Sequence, residues 1–145
     1  MSGAGSTPRP AVVVFACVHN AGRSQMAAAL FNRRADPGRA RAVSAGTQPA
    51  ERVHPEVVAG MRELGVDLSG ARPQRLTTEL AQAASLLVTM GCGDACPAAP
   101  GLRRDDWPLP DPKGQPLAQV RAIRDEIERR VADLITSEGW SAPLG

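Results

Sequence analysis

The run AVVVFA at residues 11–16 is apolar at every position and passes without a break into CVHNAGRS, then into the helix-forming text QMAAALFNRR. A short, unbroken apolar stretch rich in Val reads as a strand buried on both faces, the signature of a parallel sheet. The stretch is too short to cross a bilayer, and no small-residue cleavage site follows it where an exported leader would need one. A buried strand that turns into a helix through one tight loop confines the chain to α/β architectures.

The remaining text keeps that alternation. The helix opening at Arg23 meets a stop signal at Asp36-Pro37-Gly38, and ARAVSA at 40–45 reads as a second strand. A helix opens at Pro55, runs through Val58, Met61 and Leu64, and is closed by Gly65. A shorter helix over Thr78–Ala84 takes Thr77 or Thr78 as its cap. Leu86–Thr89 is a third strand, and Leu102–Trp107, which carries Arg and Asp, reads as an edge strand. Leu117, Val120, Ile123, Ile127, Val131 and Leu134 recur at threes and fours, giving an amphipathic helix that lies on the sheet. The fold class is α/β, a small parallel sheet with helices on both faces. Residues 1–10 read as a disordered leader, 11–138 as a single domain, and 139–145 as a tail.

Composition narrows the function. With two Trp, two Phe and no Tyr, the core must be largely aliphatic. A net charge of +2 with both signs interspersed argues against nucleic acid and mildly favours a small anion. Three cysteines, an odd number, do not make a secreted disulfide framework and point to a reducing, cytoplasmic setting. Ligands of parallel sheets bind at the carboxyl ends of the strands. Cys17, Gly91-Cys92 and Pro110-Asp111 each follow a predicted strand and should gather there.

In CVHNAGRS, successive amides of Val18, His19, Asn20, Ala21 and Gly22 can form a concave anion site, reinforced by the helix N-terminus. Gly22 permits close approach, and Asn20 tolerates left-handed backbone and can brace the loop. Arg23 offers a planar fork for two oxygens of a tetrahedral oxyanion. Those dipoles and that charge favour the thiolate of Cys17, to which Ser24 can donate a hydrogen bond. The spacing of a nucleotide-binding Walker loop is absent.

CVHNAGRSQMA resembles the active-site loop of the low-molecular-weight tyrosine phosphatase fold, and within that fold the arsenate reductases. The agreement continues through VSAGTQP, GVDLSGARPQRLT, VTMGCGDACP and DWPLPDPKGQPL. The resemblance implies a four-stranded parallel sheet, with Cys17 as nucleophile, Arg23 as oxyanion clamp and Asp111 as acid. Asp111-Pro112 alone could simply begin a turn. Facing a thiolate, its carboxylic acid can protonate a departing oxygen. Asp105 and Asp106, on the presumed edge strand, are weaker candidates. Thioredoxin-coupled members carry a Glu near position 28 that helps bind potassium, where this chain has Ala28.

Cys92 and Cys96 admit three readings: a metal pair, inert thiols, or a relay. Two cysteines with only His19 and His54 as further partners make a poor metal site, and no metal is expected. In a relay, Cys96 resolves a disulfide formed at Cys92. A phosphatase has no use for this pair, whereas reduction of arsenate takes two electrons, which two thiols becoming a disulfide supply. The leading expectation is therefore an arsenate reductase without resident cofactor, in which a Cys17–Cys92–Cys96 relay is re-reduced by thioredoxin. The alternatives are coupling to mycothiol and a mycoredoxin, a low-molecular-weight phosphatase acting on phosphate esters, and a non-catalytic oxyanion-binding thiol sensor. No role is assigned to His19 or His54.

Overall fold

The computed structural model describes residues 9–91 and 101–142. Residues 1–8 of the expected leader, the cysteines at 92 and 96, and residues 143–145 of the expected tail lie outside the described residues. The chain alternates strand and helix: β1 (Ala11–Cys17), α1 (Arg23–Arg34), β2 (Ala40–Gly46), α2 (Pro55–Arg62), α3 (Thr78–Gln82), β3 (Leu86–Thr89), β4 (Arg103–Asp106) and α4 (Leu117–Glu138). The four strands form one sheet in the order β2-β1-β3-β4, with every pairing parallel. This is the α/β class expected from the sequence.

Position in the sheet explains the composition of each strand. β1 and β3 are central, and the entirely apolar β1 and the LLVT of β3 are buried on both faces. β4 is an edge, and its RRDD is exposed throughout, charges that discourage pairing with another chain. Successive β1 side chains alternate between faces. Val13, Phe15 and Cys17 join the larger core with Met26, Leu30 and Phe31 of α1, Val57 and Met61 of α2, and Val120, Ile127 and Val131 of α4. Val14 and Ala16 join a smaller core with Leu76 and Ala81 on the α3 side. Each buried aliphatic side chain contributes about 1.5–3 kcal/mol on removal from water.

The core is mostly aliphatic, yet the few aromatics meet in one line. Trp107 lies 5.5 Å from Phe15, Phe15 6.0 Å from Phe31, and Phe31 5.9 Å from Trp140, centroid to centroid. Trp140 belongs to the segment read as a tail; its carbonyl accepts from the Asp36 amide and its indole packs on α1.

Local signals end the helices as expected, with small shifts of boundary. Thr77 Oγ1 accepts from the Leu80 amide at the start of α3. α2 stops at Arg62, and the turn closes over Gly65, whose φ is +77°. Beyond α2, Glu63 accepts from Arg121 and Arg124 of α4, and Arg124 also donates to the Gly60 carbonyl at 2.8 Å. These two guanidinium groups hold the Glu63 carboxyl at about 2, below its ordinary 4.5.

β2 ends at Gly46, where the backbone of the β1–α1 loop comes close. A Cβ at Gly46 would lie 2.6 Å from the Val18 carbonyl oxygen and 2.8 Å from the Asn20 nitrogen, and backbone cannot step aside as a side-chain tip can. Gly46→Ala is therefore expected to lower unfolding free energy by about 1–3 kcal/mol. Gly70→Ala, with open space around it, should leave the urea midpoint within error. The Glu63 pairing generates a pH signature. A carboxyl depressed in the folded state adds stability above pH 4.5 that is lost as pH falls toward about 2. Urea titrations of Glu63→Gln should show lower stability than the parent at pH 7 and a gap that narrows across that acid range.

Candidate active site

The loop after β1 is organised by where its carbonyls go. Cys17, Val18, His19 and Ala21 carbonyls accept from the amides of Thr47, Gln48, Ala50 and His54, at 3.2, 2.7, 2.9 and 2.9 Å. The Asn20 carbonyl accepts from Gln25 Nε2 at 3.1 Å, and the Gly22 carbonyl from the Met26 amide at 3.0 Å. All the carbonyls from Cys17 to Gly22 are thus engaged by the segment after β2 or by α1. A trans peptide carries its N–H opposite its C=O, so the amides of residues 18–23 turn the other way, into the loop. None of them donates to a protein acceptor among the described residues. Converging amides at a helix N-terminus form an anion site.

Cys17 sits at the base of this cradle, buried, with Sγ 2.9 Å from Ser24 Oγ. The neighbours fix how Asn20 approaches Ser24. Asn20 Oδ1 accepts from the Gln74 amide at 2.9 Å and from Gln25 Nε2 at 3.2 Å, so the other arm of the carboxamide is the donor. That arm, Nδ2, donates to Ser24 Oγ at 2.8 Å. Ser24 accepts from Asn20 on one lone pair, and toward a Cys17 thiolate, which has no hydrogen of its own, its hydroxyl is the donor. Asn20 is fully buried with φ of 50°, the left-handed conformation that its sequence position allowed.

Arg23 opens α1 and is buried. Its Nη1 donates to the Leu109 carbonyl at 3.0 Å, and its Nη2 lies 4.0 Å from Asp111 Oδ2. Its Nε is buried and has no hydrogen-bond partner, an open donor beside the cradle. A Cβ at Gly91 would press on Arg23 Nη1, the tip of a side chain held by the Leu109 carbonyl, and the φ of +105° favours glycine there. The loops after β1, β3 and β4 therefore meet at one end of the sheet, as the positions of Cys17, Gly91 and Asp111 suggested.

Asp111 accepts from the Lys113 amide through Oδ1 at 3.0 Å, which leaves Oδ2 toward the guanidinium. The loop is tied to α2 by Glu56, whose Oε1 accepts from the Gly114 amide at 3.1 Å. Pro112 and the His54 ring both approach Gly22. Asp105 and Asp106 are structural: the first accepts from Trp107 Nε1 at 3.0 Å, the second from Thr89 Oγ1 at 2.7 Å.

Sequence reasoning missed three residues here. Gln25 and Gln74 brace Asn20, and only the fold brings Gln74 to the loop. His54 stands at the rim, where burial, opposed by Glu56 and Asp111, lowers it below its ordinary 6.5. Around Asn20 the donor set does not suit potassium: Oδ1 already accepts from two N–H groups, and Ala28 supplies no oxygen.

Comparison with known proteins agrees with this geometry. The family model described as low molecular weight phosphotyrosine protein phosphatase matches residues 12–139. A Halobacterium salinarum protein whose name assigns it to arsenate reduction is 43% identical over 124 residues, covering 83% of this chain and 87% of that protein. The glutaredoxin arsenate reductase of a Synechocystis strain is 34% identical, covering 85% of this chain and 95% of its own. The Corynebacterium glutamicum thioredoxin-dependent arsenate reductase superposes with a TM-score of 0.76 at 39% identity, over 94% of this chain and 65% of that longer chain. With the loop, the sheet order and nearly the whole length in agreement, this chain belongs to the low molecular weight phosphotyrosine protein phosphatase family.

Proposed function

We propose that this protein reduces arsenate to arsenite, with Cys17 as nucleophile. The observation that carries the reading is the absence of an aromatic wall at the cradle. The chain has no Tyr, and both Phe and both Trp are engaged in one packed line. Lys113 follows Asp111-Pro112, where an aryl substrate would need a ring to rest on. A cradle of amides and one guanidinium fits a bare tetrahedral oxyanion instead. The relatives named for arsenate reduction support the same reading.

In the first step the Cys17 sulfur attacks arsenic held by the loop amides and Arg23, a sulfur–arsenic bond forms, and hydroxide leaves as water with a proton from Asp111. Cys92 then attacks the Cys17 sulfur, and the electron pair of the sulfur–arsenic bond stays on arsenic, which leaves as arsenite. Cys96 attacks Cys92, freeing Cys17 as a thiolate and leaving a Cys92–Cys96 disulfide. Two thiols lose two electrons and As(V) gains two. The relay rests on residue chemistry and on the chain running from Gly91, which abuts Arg23, into Cys92 and Cys96. A dithiol protein of the thioredoxin or glutaredoxin kind is the proposed reductant, and a cytoplasmic setting is part of the same proposal.

Reduced protein mixed with excess arsenate and no added thiol tests the scheme. Two of the three thiols should disappear for each arsenite formed, and peptide mapping should find Cys92 joined to Cys96. If all thiols survive and no arsenite appears, the internal relay is wrong. Turnover that returns on adding mycothiol would assign the electrons to an outside thiol; hydrolysis of a phosphate ester alone would leave a phosphatase. Arg23→Lys, which loses the planar fork and the free Nε donor, should cut kcat/KM for arsenate by about 100-fold or more. Asp111→Asn should lower kcat by about 100-fold while phosphate inhibition changes little.

A further inference from the structure

Gln25 lies on the first turn of α1, two residues past Arg23, and is buried to 7% exposure although it is polar. It does not touch the sulfur, and it meets the anion cradle only through the Asn20 carbonyl. Its side-chain nitrogen instead reaches three oxygens: the Asn20 carbonyl at 3.1 Å, Asn20 Oδ1 at 3.2 Å and the Arg72 carbonyl at 3.4 Å. A buried carboxamide that donates to both the main chain and the side chain of one residue fixes that residue's torsions. Asn20 needs such fixing, because φ of 50° is a sparsely populated conformation for any residue but glycine.

We propose that Gln25 is a positioning residue for Cys17, acting through Asn20 and Ser24. By clamping Asn20 at both oxygens, it keeps Nδ2 on Ser24 Oγ at 2.8 Å, which holds that hydroxyl 2.9 Å from the sulfur, where it can donate to the thiolate. That bond strengthens as negative charge develops on sulfur, so the chain Gln25–Asn20–Ser24 maintains the nucleophile in its reactive form. The Gln74 amide is a second brace on Asn20 Oδ1, and being backbone it survives any substitution at 25. Loss of Gln25 frees the Asn20 carbonyl as well, but the carbonyls of Cys17, Val18, His19 and Ala21 stay bound by the amides of Thr47, Gln48, Ala50 and His54, so the cradle should keep most of its hold on an anion.

The proposal rests on Cys17 being the nucleophile, and its test needs no arsenate, so failure here and failure of arsenate reduction are read separately. The full-length protein is alkylated with iodoacetamide, and Cys17 modification is followed by peptide mass spectrometry, with and without inorganic phosphate as protectant. Gln25→Met keeps length and helix propensity but removes the donors. Gln25→Glu keeps shape and places an acceptor against acceptors, and serves if the first variant does not fold. Either should slow Cys17 alkylation about three- to tenfold, while the phosphate concentration that protects rises by a smaller factor than the alkylation rate falls, since only the Asn20 carbonyl of the loop loses its partner. In a Ser24→Ala background, the substitution at 25 should add almost nothing further. Wild-type alkylation in the Gln25 variants would overturn the proposal. So would a full, undiminished effect on top of Ser24→Ala, or an equal loss of phosphate protection, which would make Gln25 a support of the whole loop.

Discussion

A peptide unit cannot point its carbonyl and its amide the same way, and the chemistry of this fold hangs on that constraint. From Cys17 to Gly22 the carbonyls are bound by the segment running from Thr47 to His54, by Gln25 and by the Met26 amide. The amides are left facing the centre of the loop, where the N-terminus of α1 adds its partial positive charge. The anion site is therefore a property of backbone direction more than of side-chain identity. It depends on β2 being next to β1, because only parallel pairing of Cys17 with Gly46 lays the following segment along the outside of the loop. Gly46 is where the two backbones nearly touch.

Arg23 gathers the rest of the site. Its guanidinium is held by the Leu109 carbonyl, fits the space left by Gly91 and faces Asp111, so it links the ends of β1, β3 and β4. One donor, Nε, remains unspent. A buried, charged group with an open N–H is costly unless a partner arrives, and an oxyanion in the cradle is the partner whose shape and charge match it. The neutral network of Asn20, Ser24, Gln25 and Gln74 beneath it serves a different end: it holds one hydroxyl against the sulfur.

The spending of aromatic side chains separates this chain from a phosphatase built for aryl esters. Trp107, at the end of the β4 edge, turns inward to Phe15 and donates its indole N–H to Asp105. Trp140 caps the other end of the same line on Phe31. A core with so few large side chains uses all of them for packing, and the mouth beside Asp111 is left to Pro112, Lys113 and His54.

Much of this was legible in the letters because the signals are local. The all-apolar β1, the threes and fours of α4, the Thr77 cap and the Gly65 closure each depend on neighbours within a turn or two, and the C-x5-R-S loop carries its thiol and its guanidinium in one stretch. The placement of Asp111 followed from the rule that ligands gather at the carboxyl ends of parallel strands. What the letters could not supply was every partner brought in from far along the chain. Gln74 on Asn20, Gly91 against Arg23, Glu56 on Gly114 and the inward turn of Trp107 have no local periodicity to announce them. The sequence alone determined which elements form and which loop carries the cysteine, the arginine and the turned amides. Tertiary structure decided how that loop is held and which way its hydrogen bonds run, because buried polar groups take whichever partner the packing of the sheet delivers.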